Sequence, residues 1–430
     1  MLNNVLKTNT YTVLILLIFT GCKKNYIDPS KIADAFSTAR GMTGVVIGLQ
    51  RTYTVGRASC LYNSISINGL VTNELIVANP GNAAEMQLQT GGPSVDATHT
   101  MLSTYWINNN KIIYDANLVI INASKLVNKN YASGLIAYAS IFKALCIGNL
   151  AMYWEKIPDT IGKNVNFVSR VDGFKKAVQV LDRALVAVNT HSISTDFISS
   201  IPAGIDIVNT LYALKARYAL FAGDYSTAFA AANAVILSKK SVFNFEAAFP
   251  NPIFENVANK VVQAKNDTLG LPDLLRPSLT DTRVPFYVIT NVTDPFFRVA
   301  GFGATSLTPI PVYLPGEMAL IKAEVYARQN DSTNSRIQLN IILTKTPAMD
   351  PFGVGANQPA MTIVGSYKNL LDQIYLNRCI ELYMSGLKLE DMRRFGRQVV
   401  PPNSESKRNF MPYPFRESDN NPNTPPNPAF

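Results

Sequence analysis

Apolar residues recur every three or four positions along most of this chain, the spacing of amphipathic helices. The pattern predicts helices over 33–54, 64–77 and 104–126, the last with Trp106, Ile113, Leu118 and Ile121 as candidate core positions. Residues 135–154 (LIAYASIFKALCIGNLAMYW) are apolar on nearly every side, so neighbours must bury that helix all round. It should end before Pro158, because the residue preceding a proline is pushed out of helical geometry. A helix over 171–187 follows, with Phe174, Val178, Leu181 and Leu185 in register. Residues 206–222 and 225–237, joined by Gly223-Asp224, carry Ala216, Ala219, Ala228 and Ala232 in the small-residue rhythm of a tetratricopeptide-type helix pair. A second pair spans 315–328 and 332–343, with Asn330-Asp331 at its turn, and 370–394 gives a third. The copies are spread out and imperfect, which argues against a continuous solenoid. Within the third pair, Arg378 and Glu381 stand at i, i+3 and are expected to pair on a solvated face.

Two stretches break the pattern. Residues 78–98 are polar and rich in Gly and Asn, and long loops of this kind in a packed domain are often functional. Residues 243–312 hold eight prolines, which excludes long helices and leaves loops and short strands. The end of the chain (NNPNTPPNPAF) has a composition that on its own reads as disordered.

Composition adds less. With 47% apolar and 16% charged residues the chain can build an ample core. Its formal charge of +9 is scattered, with no basic run or arginine/aromatic stripe, so nucleic acid is not an expected partner. Residues 1–21 read as a signal peptide: Lys7, the apolar run VLILLIF, then Thr20-Gly21 before Cys22. That run is far shorter than the roughly 20 residues a membrane span needs. A cysteine after a small residue at this point is similar to a bacterial lipobox, which implies acylation of Cys22 and anchoring to outer-membrane lipid. Three cysteines remain, Cys60, Cys146 and Cys379, and neither a disulfide nor a metal site is expected from their spacing.

The C-terminal run YLNRCIELYMSGLKLEDMRRFGR carries a more specific order of residue types: Arg378, Glu381-Leu382, Gly386, Asp391, Arg393 and Arg394. It resembles the signature of the SusD/RagB family of nutrient-binding outer-membrane lipoproteins, with Ser385 and Lys388 departing from the usual glutamate and arginine. Asn117, Asp281-x-Arg283, the helix bearing Glu317 and Glu324, and the closing Met411-Pro412-Tyr413-Pro414 also fit that family. The resemblance implies a mostly α, SusD-like fold of tetratricopeptide-like helix pairs interrupted by a loop-rich segment with a few short strands. One such domain would span 22–430, with a helical scaffold at 31–240 and 313–397. Loop-rich ligand-side segments would lie at 78–103 and 243–312, and a packed tail at 398–430. It further implies a surface lipoprotein on the outer membrane, facing the exterior, that captures oligosaccharide (peptide in some members) as the lid of a SusC-like TonB-dependent transporter.

No GxSxG, HExxH, Walker or GxGxxG pattern occurs, and the two histidines lack ligand-spaced partners. No catalytic residue, metal or cofactor is therefore assigned. Glu317, Glu324 and Glu381 lie near lysines and arginines and are expected to form ion pairs. Sugar capture without chemistry needs aromatic faces and amides, and the loops supply Asn79, Asn82 and Gln89, then Tyr287, Asn291, Phe296 and Phe297. Trp154 joins these as a candidate at a helix end, whereas Trp106 reads as core. Two rivals stay open: a lipid-anchored repeat adaptor for envelope proteins, and a lipid-anchored glycoside hydrolase needing a carboxylate pair in a cleft.

Overall fold

The structure is a computed structural model that describes residues 35–293, 296–362, 367–397 and 405–429. The expected signal peptide, Cys22 and residues 398–404 lie outside the described residues.

Several helix starts coincide with side chains that accept from a free amide. Thr38 caps α1 (Ala39–Thr54) on the Gly41 amide, and Ser59 caps α2 (Cys60–Val71) on Tyr62. Strand β1 (Leu75–Val77), α3 (Ala83–Thr90) and the two longest helices, α4 (Thr100–Ala123) and α5 (Lys129–Tyr153), follow. From Ala132 to Tyr153 every residue of α5 is buried except Ile136 and Lys143. This helix is long and apolar enough to cross a membrane, yet its apolar window is 89% buried by the protein itself. A ribbon of β2 (Lys156–Pro158) and β3 (Phe167–Ser169) leads into α6 (Arg170–Thr190).

The helix pairs are built by one device used twice. Between α7 (Ile207–Phe221) and α8 (Tyr225–Ala234), Gly223 takes a left-handed φ of +78 and the Asp224 carboxylate caps the Thr227 amide. Between α9 (Pro315–Arg328) and α10 (Ser332–Thr344), Asn330 takes φ +61 and Asp331 caps Asn334. The chain closes with α11 (Tyr367–Glu381) and α12 (Lys388–Arg394). From α4 to α9 each helix packs on the next, and α9 packs on both α10 and α11. The stack therefore runs unbroken in space, because α8 meets α9 directly although the loop-rich segment separates them in sequence. Sequence spacing alone had argued otherwise.

Among the described residues, four two-stranded antiparallel ribbons complete the fold. Besides β2–β3, β4 (Val242–Phe243) pairs with β8 (Ile310–Pro311) and closes the base of the loop-rich segment. β5 (Val262–Ala264) pairs with β1, and β6 (Val288–Thr290) pairs with β7 (Phe297–Val299).

The expected amphipathic helix over 64–77 is different in the structure: α2 starts earlier, all twelve of its residues are buried, and 75–77 form a strand. Most of its polar side chains find partners inside the protein, Ser64 and Ser66 on carbonyls of their own helix and Asn68 on two other segments. Asn68 Nδ2 donates to the Glu74 carboxylate at 2.7 Å, and its Oδ1 accepts from the Leu389 amide at 2.8 Å. That second bond caps α12, whose own N-cap Leu387 has no side-chain acceptor. Burial pushes the Glu74 carboxyl up to about 7 against the opposing pull of Lys388.

The signature charges Arg378, Glu381 and Asp391 are also buried, and Arg393 and Arg394 are partly so. Arg378 pairs with Asp391 at 2.9 Å, not with Glu381 as the i, i+3 spacing suggested. Asp391 also holds Arg394, which reaches Glu324, and Glu324 in turn holds Arg328. Glu381 points the other way, to Arg283 at 3.2 Å and Lys345 at 2.5 Å, and these two cations hold Asp281 and Asp350. Glu317 is paired with Arg217 at 2.6 Å. Charges removed from water require this degree of pairing. Gly386 makes the turn between α11 and α12 at φ +76.

The tail over 405–429 lies on the body. Trp154 Nε1 donates to Pro412 O at 2.9 Å, the Met411 amide donates to Tyr153 O, and Trp106 Nε1 donates to Glu417. Hydrogen bonds to the body, two of them through the tail backbone, hold this order despite the tail composition.

Candidate ligand-binding face

The β1–β5 pairing brings the first loop to the second loop-rich segment, and β5 packs beside β7 of the β6–β7 hairpin. The two candidate regions, distant in sequence, are thus tied through one strand. Thr290 opposes Phe297 in the hairpin, so Asn291 and Phe296 stand at its tip, where the Asn291 amide donates to Phe296 O. Phe296 is half exposed and Val292 almost fully exposed, whereas Phe297 packs partly on the core. The hairpin offers one free ring.

In the first loop Asn79 is exposed, and its side chain accepts from the Gly81 amide. Asn82 accepts from Arg57, which also binds the buried Glu85 at 2.6 Å. Gln89 is committed to the edge of β1 through the Val77 amide. Only part of the amide chemistry in this loop is left to face a ligand.

Trp154 and Tyr287 are core residues in this structure, which corrects their placement on a ligand face. Trp154 is wholly buried, with Tyr105, Trp106 and Tyr153 around it. Its position at the end of α5 faces the tail, which its indole N–H holds. Tyr287 is buried against Phe286, Phe302 and Tyr383, and its hydroxyl donates to Glu381 O at 2.7 Å. Burial raises its pKa well above the ordinary phenol value. Its work is to hold the base of the hairpin to α11.

A groove of about 450 Å³ that sequence reasoning missed lies between α1 and the start of the loop-rich segment. Gln50, Arg51, Asn244, Glu246 and Phe249 line it, and the Arg51 guanidinium sits 3.6 Å from the Phe249 ring centroid. A ring, a planar cation, amides and a carboxylate are the groups that sugar recognition uses. Nothing in the local sequence joins Arg51 to Phe249; only the fold does.

No protein-family model and no curated protein matches this sequence. Solved structures do match. A SusD superfamily protein of Bacteroides thetaiotaomicron is 16% identical, with 91% of this chain and 100% of that one covered and a TM-score of 0.71. A SusD-like carbohydrate-binding protein of Bacteroides fragilis is 15% identical over 90% of this chain and 99% of that one, with a TM-score of 0.68. A laminarin-binding SusD-like protein is 15% identical over 91% and 99%, with a TM-score of 0.65. The fold of this chain is SusD-like.

Proposed function

We propose that this protein is a SusD/RagB-type lipoprotein, anchored by acylated Cys22 on the outside of the outer membrane. It captures an oligosaccharide and closes it into a SusC-like TonB-dependent transporter. The observation that carries the reading is end-to-end likeness to structures named as carbohydrate-binding, including one named for laminarin. Local features support it. Leu274, Leu279 and Val292 are 96–99% exposed on the loop-rich segment, three apolar side chains available to a partner. On α4, Ile107, Tyr114 and Ile121 (the last expected in the core from its spacing but exposed in the structure) are about half exposed at seven-residue intervals, an apolar stripe suited to a transporter-facing surface.

Purification of the tagged protein from native membranes in mild detergent should bring down a TonB-dependent barrel in stoichiometric amount. Absence of any barrel, with cross-linking in agreement, would remove the lid role and bring forward the envelope adaptor and the lipid-anchored hydrolase.

Ligand capture is tested separately. Phe296 at the hairpin tip and Phe249 in the groove are the two ring positions assigned to the sugar. In titrations with an oligosaccharide panel, Phe296→Ala or Phe249→Ala should weaken binding about tenfold, or about 1.4 kcal/mol. Both side chains are partly exposed, so the fold should survive either change. Unchanged affinity in both variants would overturn this placement.

A further inference from the structure

Lys143, in the middle of the buried helix α5, has no counter-ion among the described residues. Lys143 and Ile136, one heptad apart, are the positions of α5 beyond its first turn that are not buried. Lys143 opens into a pocket of about 300 Å³ between α4, α5, α6 and the β2–β3 ribbon, lined by no residue of the loop-rich segments. Across the pocket stands Arg183 of α6, whose Nε donates to Gln179 O. Among the described residues no carboxylate pairs with either cation. Asp182, beside Arg183 in sequence, is held by Lys215. Asp159 in the pocket wall is held by Lys176, which also donates to its carbonyl.

Three cations therefore face one carboxylate in this pocket, and that carboxylate is taken. The floor is apolar (Ile113, Ile147, Leu150 and Val180), and Asn117 and Gln179 stand at the wall. A volume of 300 Å³ lies at the small end of ligand pockets, roughly 300–1,000 Å³, and suits one ring-sized molecule. We propose that this pocket binds a small oxyanion-bearing ligand, its carboxylate, sulfate or phosphate held by Lys143 and Arg183 and its body resting on the apolar floor.

The energetics favour an anion here. Desolvation, reinforced by Arg183, holds the Lys143 ammonium down to about 8. A partly buried cation with a like charge beside it is costly until an anion arrives, and charge-assisted bonds to guanidinium and ammonium are the strong ones. Arg183 offers a planar fork and Lys143 a point charge, a combination suited to oxyanion recognition.

The test is calorimetric titration of the full mature protein at constant ionic strength with sodium sulfate, phosphate and glucuronate, using glucose as the neutral control. At least one oxyanion should bind and glucose should not. Lys143→Met and Arg183→Gln should each weaken binding at least about tenfold. Lys143→Met removes an unpaired charge, so its thermal stability without ligand should equal or exceed that of the parent. Glucuronate binding more tightly than the inorganic ions would identify a sugar acid as the source of the anion; equal binding would identify the free ion. Absence of binding by all three oxyanions, or unchanged affinity in both variants, overturns the proposal. The site shares no residue with the Phe296 and Phe249 positions, so its failure would leave the oligosaccharide reading standing, and the reverse holds.

Discussion

Replacing Glu324 by glutamine should cost about 3–5 kcal/mol of stability at neutral pH, although the side chain keeps its size. Glu324 is fully buried and accepts from Arg328 and Arg394. Burial alone would raise its pKa; Arg394, Arg328 and Arg378 override that and leave it at about 2. A fall of this size from 4.5 corresponds to about 3 kcal/mol at 1.36 kcal/mol per unit. The glutamine leaves Arg328 with no carboxylate partner among the described residues and Arg394 with Asp391 alone, so the cluster gains an uncompensated positive charge. Because the folded pKa is depressed, the contribution is complete above about 4.5 and is lost as pH falls toward 2. Urea denaturation of parent and Glu324→Gln at pH 7, and again near pH 3, measures both effects. The gap between the two proteins should narrow at the lower pH. A gap below about 1 kcal/mol at pH 7 would mean that the network contributes no more than surface ion pairs do.

The same charges show where the sequence could be read and where it could not. Periodicity was sufficient for α5, whose apolar residues leave no polar face, and for the turns at Gly223-Asp224 and Asn330-Asp331. There the left-handed residue and the cap are adjacent in sequence, so the signal is local. It was insufficient for α2, because Asn63, Ser64, Ser66 and Asn68 look solvent-facing until their partners are known. Asn68 finds Leu389 across 321 positions. Arg378 misled for the same reason: helical spacing offers Glu381, but the turn at Gly386 brings Asp391 back onto Arg378, and Glu381 is left for Arg283. The candidate site was half legible. Composition marks the two loop-rich segments, and pairing of β1 with β5 joins them. It does not reveal which rings are free. Phe296 and Tyr287 are both aromatics among prolines, yet one stands at a hairpin tip and the other lies under the hairpin.

The second large effect falls where that hairpin is fastened. Glu381 receives Arg283 from the loop-rich segment and Lys345 from beyond α10, and its carbonyl receives the Tyr287 hydroxyl. The carboxylate fits because Gly316 lies against it. A Cβ at position 316 would stand 1.9 Å from Glu381 Oε1 and 2.5 Å from Cδ. The carboxylate cannot swing aside without parting from Arg283 and Lys345, both buried. Gly316→Ala should therefore destabilise the protein by about 3 kcal/mol, the upper end of ordinary overpacking. Glu381→Ala alone should cost less than Glu324→Gln, since Asp281 and Asp350 stay in place to neutralise Arg283 and Lys345. The shorter side chain also clears space for the new methyl. The double variant Gly316→Ala with Glu381→Ala should then be more stable than Gly316→Ala alone, a non-additivity expected only of residues in contact. Strict additivity in that cycle would show that the methyl is accommodated elsewhere. Limited proteolysis gives the functional reading: cleavage within 243–312 should rise in Gly316→Ala before the helical stack is attacked. The buried charges would then be seen to hold the loop-rich segment to the scaffold.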